Sequence, residues 1–91
     1  MTTIVEWHKV AGAHLAQDLK NAQDKLGSAD GEVLLDFSDV QRIDPAGLLA
    51  VEDFASVADQ KSVRVVMCGV NVSVYKVLKL ARLTPRFSFV N

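Results

Sequence analysis

Cysteine is almost missing from this chain: Cys68 is its only one, so neither an intrachain disulfide nor a multi-cysteine zinc site can form. A reducing compartment suits such a chain, and a cytoplasmic location is the expectation. Long apolar runs are missing as well. No stretch approaches the ~18 residues of a membrane span, and acidic and aromatic residues interrupt the first ten positions where a signal peptide would be uniformly apolar, so membrane insertion is not expected. Charge of one dominant sign is also missing. Ten Lys and Arg against eleven Asp and Glu leave a formal charge of -1, which gives no overall positive potential for a nucleic-acid backbone. Proline is confined to Pro45 and Pro85, and no repeat or low-complexity segment breaks the chain, so no linker is visible.

What remains is an ordinary globular composition, with 49% hydrophobic and 23% charged residues over 91 positions. That length holds one core, and residues 1–91 are read as one domain. Residues 2–10 are rich in β-branched and aromatic side chains (Thr3, Ile4, Val5, Trp7, Val10) and predict a strand. As an edge strand it could pair with a copy of itself, so a homodimer stays open. Leu15, Leu19, Ala22 and Leu26 recur at helical spacing and predict a helix over 11–26, with a turn at 28–31. The run EVLLDF at 32–37 predicts a buried strand and 38–43 a loop.

Asp44 followed by Pro45 is a helix start, because the carboxylate can accept from orphan N–H groups and proline at the first position sacrifices no bond. The helix should run over 45–60, with Leu48, Val51, Ala55 and Ala58 inward and Leu49, Glu52, Asp53 and Ser56 outward. A second buried strand at 63–70, a helix capped by Asn71 and ending near Pro85, and a short strand at 87–90 complete the series. Alternation of this kind implies an α/β fold: a mixed sheet of about four strands, parallel in the centre, with about three covering helices.

Candidate chemistry is sparse. Asp36, Asp39 and Asp44 gather near strand ends, where a hard cation such as Mg²⁺ is the sharp reading, but capping and turn roles suit these residues better. The turn GSADG lacks the lysine and residue order of a phosphate loop. His8 and His14 have no cysteine near them, and Cys68 reads as an inert thiol in a core strand. Ser38, Ser73 and Thr84 lack a histidine placed to activate them. No catalytic set, metal site or cofactor is expected. Gly47, one position inside the helix start, allows close approach either by a partner or by the fold's own backbone.

The segment VLLDFSDVQRIDPAGL at 33–48 resembles the signature of STAS domains, the family named for sulfate transporters and anti-sigma factor antagonists: an apolar strand ending in Asp, a short loop, then Asp, two hydroxyl residues and Gly opening a helix. A second stretch, VRVVMCGVNVSVYKVLKLARL at 63–83, resembles the last buried strand, turn and helix of the family. Two departures stand out. Pro45 and Ala46 replace the hydroxyl residues after the Asp, and neither has an oxygen that could accept phosphate. The chain also offers one N-terminal strand where the family commonly has two.

The resemblance implies a non-catalytic module that docks a protein through the loop and helix start at 38–49, using Ser38, Asp39, Arg42, Asp44, Pro45, Ala46, Gly47, Leu49 and Asp53. It implies an anti-sigma factor antagonist without the phosphorylatable hydroxyl, whose partner is a kinase-like anti-sigma factor. An accessory subunit of an ABC-type lipid-trafficking transporter, bound to the ATPase subunit, is the alternative within the fold. A regulatory domain that binds a nucleotide or other small molecule is the alternative from another class. Incubation with a cognate STAS kinase and ATP is therefore expected to leave the intact mass unchanged; gain of one phosphate at Ser38 would reveal a displaced acceptor.

Overall fold

A computed structural model describes residues 5–26 and 31–90. Four strands and three helices alternate: β1 (Val5–Ala11), α1 (Leu15–Asp24), β2 (Glu32–Asp39), α2 (Pro45–Gln60), β3 (Arg64–Cys68), α3 (Val72–Leu80) and β4 (Ser88–Val90). Single 3₁₀ turns at Gly12–His14 and Thr84–Arg86 lead into α1 and β4. The predicted strand start at Thr2 to Ile4 and the turn residues 28–30 lie outside the described residues.

The strands stand in the order β1-β2-β3-β4 and every pairing is parallel, with Trp7, Leu34, Val66 and Ser88 in register across the sheet. The mixed sheet expected from the sequence is therefore corrected to a parallel one among the described strands. The reason is connectivity: each strand is followed by a helix that carries the chain back, so no hairpin reverses direction. Sequential order with crossovers of one hand puts every helix on the same face of the sheet. The core agrees. It joins Leu15 and Leu19 of α1, Val51, Phe54 and Ala55 of α2, and Val74 and Leu78 of α3 to Val33, Leu35 and Phe37 of β2 and Val65 and Met67 of β3. These strand residues alternate with Leu34, Asp36 and Val66, which point to the opposite face.

Element limits moved where backbone hydrogen bonding outweighed side-chain pattern. Ser38 and Asp39 belong to β2 rather than to a loop, because the ladder to β1 continues to Ala11↔Asp39 past an irregularity after Lys9. Ala11 thus sits in the sheet instead of opening α1, and its N–H donates to Asp18 Oδ2 at 2.9 Å. Helix α2 spans the expected residues, and its buried face includes Phe54, which the expected inward set omitted, whereas Leu48 is only partly buried. Helices α2 and α3 close alike. Ser62 and Arg82 adopt left-handed φ of 57° and 60°, and the next residues, Val63 and Leu83, donate back to Ala58 and Leu78. This closure stops α3 at Leu80, well short of Pro85.

Strand β3 ends earlier than expected because Gly69 turns the chain at φ +69°. A Cβ there would lie 2.8 Å from Ser38 Cβ and 2.9 Å from Ser38 N. Both the conformation and the space exclude a side chain. Gly69→Ala is expected to lower stability by roughly 1–3 kcal/mol, the scale of a strained non-glycine residue, read as a reduced denaturant midpoint at unchanged m-value.

Candidate functional site

Parallel strands deliver all their carboxyl ends to one edge, so the β1–α1, β2–α2 and β3–α3 connections meet there. Three interactions build this edge. Asp44 caps α2: its backbone is extended, and Oδ1 accepts from Gly47 N–H at 2.7 Å. Asn71 caps α3 in the same way, accepting from Val74 N–H at 2.8 Å. The Asn71 amide also donates to the carbonyls of Val40 and Gln41, each at 3.2 Å, and so ties the β2–α2 loop to the start of α3. Val40 is buried beneath this tie and Ile43 packs on the core, which leaves Gln41 and Arg42 outward.

Most of the expected docking residues share this edge. Asp39 at the end of β2 and Arg42 in the loop line an open groove of about 310 Å³ together with Gly12, Ala13 and Gln41. Asp44, Pro45 and Ala46 are exposed at the first turn of α2. Leu49 is 61% exposed one turn later, and Asp53 is exposed another turn on, so Ala46, Leu49 and Asp53 form one outward stripe.

Two residues fall away from the group. Gly47 is buried, and a Cβ on it would come within 2.7 Å of Leu15 Cδ2, so its missing side chain serves the contact between α1 and α2 and is turned away from solvent. Ser38 lies on the strand beside Asp36, where its N–H donates to Asp36 Oδ1 at 2.9 Å. Gly12 and Ala13, outside the expected 38–49 segment, also line the groove, and the tie made by Asn71 was not expected. The expected β3–α3 turn identified Asn71 as a cap, but only the folded arrangement brings its amide to a loop thirty positions earlier.

The carboxylates that suggested a cation site have separate tasks. Asp44 caps a helix, Asp39 lines the groove, and Asp36 faces away from the helices beside Cys68. Among the described residues no three His, Cys, Asp or Glu side chains come together. The hydrogen bonds from Ser38, together with the charge of Lys9, hold the Asp36 carboxyl below its ordinary value despite partial burial. Partial burial and then the adjacent Asp36 carboxylate push the Cys68 thiol up, which disfavours its thiolate. Cys68 is half-buried on the face opposite the helices, not in the core as expected.

Comparison with known proteins gives a consistent result. A family model described as STAS domain matches residues 11–91. A sulfate transporter family protein from Wolinella succinogenes superposes with a TM-score of 0.77 at 20% identity, over 97% of this chain and 80% of that one. A candidate anti-sigma factor antagonist from Thermotoga maritima superposes with a TM-score of 0.67 at 19% identity, over 100% of this chain and 76% of that one. No curated protein sequence matches.

The Asp44 cap lends itself to measurement. Asp44→Ala removes the acceptor for the Gly47 N–H and should cost about 0.5–2 kcal/mol in chemical denaturation. Asp44→Asn keeps an acceptor oxygen and should recover most of that loss. Equal stability of all three proteins would show that the cap contributes nothing.

Proposed function

Because this chain belongs to the STAS domain family, we propose that it acts as a non-catalytic docking module whose partner protein binds the outward stripe of α2 and the adjoining loop. The observation that carries this reading is Leu49: a large apolar side chain, 61% exposed, on a helix rigidly capped at Asp44 and beside a loop pinned by Asn71. Apolar side chains on fixed elements lose little entropy on binding and make effective anchors. Asp39, Asp44 and Asp53 lie on the same side of the molecule as Leu49, with Arg42 beside Asp39 in the groove, and this acidic set suits a partner surface that is predominantly basic.

The mechanism is occupancy. Pro45 and Ala46 stand exposed where the family's switch carries hydroxyl groups, so the surface has no covalent means of turning itself off at that position. Control then passes to the supply of the chain and its partner, or to competition between partners. A kinase-like anti-sigma factor and a transporter ATPase subunit are the two partner types under this proposal. The groove beside Asp39 and Arg42 supports a role for a partner side chain better than for a free ligand, because it is open and its few polar groups do not converge around an enclosed volume.

The test uses affinity and stability together, with a kinase-like anti-sigma factor and a transporter ATPase subunit each tried as the immobilised probe. Leu49→Asp should stay within about ±0.5 kcal/mol of wild-type stability, as exposed substitutions usually do. Its affinity should drop by at least about tenfold, because a carboxylate replaces apolar burial in a desolvated contact. Adding Asp39→Lys should weaken binding further. Wild-type affinity in folded Leu49→Asp would remove α2 from the interface.

A further inference from the structure

The sheet is parallel throughout and all three helices lie on one side of it, so its other face carries no covering layer among the described residues. Parallel sheets occur almost only with both faces covered. The residues on this face behave accordingly. Its central row runs Trp7, Leu34, Val66 and Ser88 in register; Trp7 is 61% exposed, Leu34 is half-buried, and Val66, though not part of the helix-side cluster, is buried among its row neighbours. This is an apolar band led by an exposed tryptophan.

The charges on either side of the band indicate what covers it. At the strand starts Glu32 and Arg64 are register neighbours. They form no ion pair with each other; Glu32 is unpaired among the described residues, and the Arg64 guanidinium donates to Ser88 Oγ at 3.2 Å. At the strand ends lie Lys9, Asp36 and Cys68. Consider a second copy laid face to face, about 10 Å away as stacked sheets pack, on a two-fold axis parallel to the strands and passing between β2 and β3. Strand β2 then lies over β3 of the second copy. Leu34 meets Val66, Glu32 meets Arg64, and both contacts occur twice, as an isologous interface requires. The other in-plane axis, perpendicular to the strands, would set Glu32 against Asp36 and leave Arg64 without a carboxylate.

We propose that this uncovered face is a homodimer interface, with the two sheets stacked on a two-fold axis parallel to the strands and Glu32 of each copy paired to Arg64 of the other. The contact spans four strands and about three rows of side chains, which places it at the small end of specific interfaces, so the dimer dissociates on dilution. The α2 surface lies on the other side of the sheet, where the dimer leaves it free.

Trp7 is the chain's only tryptophan, so its emission reports the interface directly. Sedimentation equilibrium from micromolar to millimolar concentration should show a monomer–dimer equilibrium, with a blue shift of tryptophan emission following the dimer fraction. Glu32→Arg alone and Arg64→Glu alone should each weaken dimerisation by at least about tenfold, since each sets like charges against each other twice. Mixed in equal amounts, the two variants should recover a heterodimer near wild-type affinity, because each introduced charge then faces its opposite on the other chain. The recovery also shows that both variants fold. A monomer at every concentration overturns the proposal. So does a dimer indifferent to both substitutions, which would pair elsewhere, for instance along the β1 edge, and so does failure of the mixture to recover, which would exclude this axis.

Discussion

Everything functional in this protein depends on one packing event, the burial of a single face of a four-stranded parallel sheet under three helices. Val33, Leu35 and Phe37 of β2 and Val65 and Met67 of β3 supply the sheet side, and Phe54, Val51 and Leu78 press down from the helices. Side chains in a strand alternate strictly, so a slip of one residue would turn Phe37 outward and Asp36 inward and exchange the whole set. The register held by this core therefore fixes which residues reach the carboxyl-end edge and which reach the open face.

From that register the strand ends follow. All four strands run the same way, so three connecting segments converge at one edge, and the polar ties there are short and local. Asp44 and Asn71 cap the two helices that begin at this edge. The Asn71 amide spans to the Val40 and Gln41 carbonyls, adding a polar tie to a loop already anchored by buried Val40 and by Ile43. Rigidity favours the docking proposed for this surface, since every bond left to freeze on association is subtracted from affinity. Gly47 and Gly69 give up side chains for the same end, one to seat Leu15 of α1 and the other to let β3 turn beside Ser38.

The two faces of the sheet carry different duties. Helix α2, on the covered side, presents Leu49 with carboxylates on the same surface, and this is the surface proposed here to dock a partner. The open side has a balanced set of charges around an apolar band. A chain with a formal charge of -1 can thus offer one acidic patch and one self-complementary patch, a distinction that whole-chain composition averages away.

Helix α2 was legible to the residue, because Asp-Pro at its start is a local chemical signal and its apolar spacing extends over four turns. The alternation of strands and helices was legible for the same reason, as was the outward position of Leu49. The ends of α1, β3 and α3 were not: Ala11 joins a ladder with Asp39, and Arg82 accepts a left-handed conformation so that Leu83 can be buried, and both depend on contacts distant along the chain. Parallel strand direction throughout, the inward turn of Gly47, the tie from Asn71 and the exposure of Trp7 on an uncovered face likewise came only with the tertiary structure. Local chemistry decides which segments become helix or strand, since caps, proline and periodicity act within a few residues. Which face of each element meets which neighbour is decided by the summed burial of residues far apart in sequence, and no single segment contains that information.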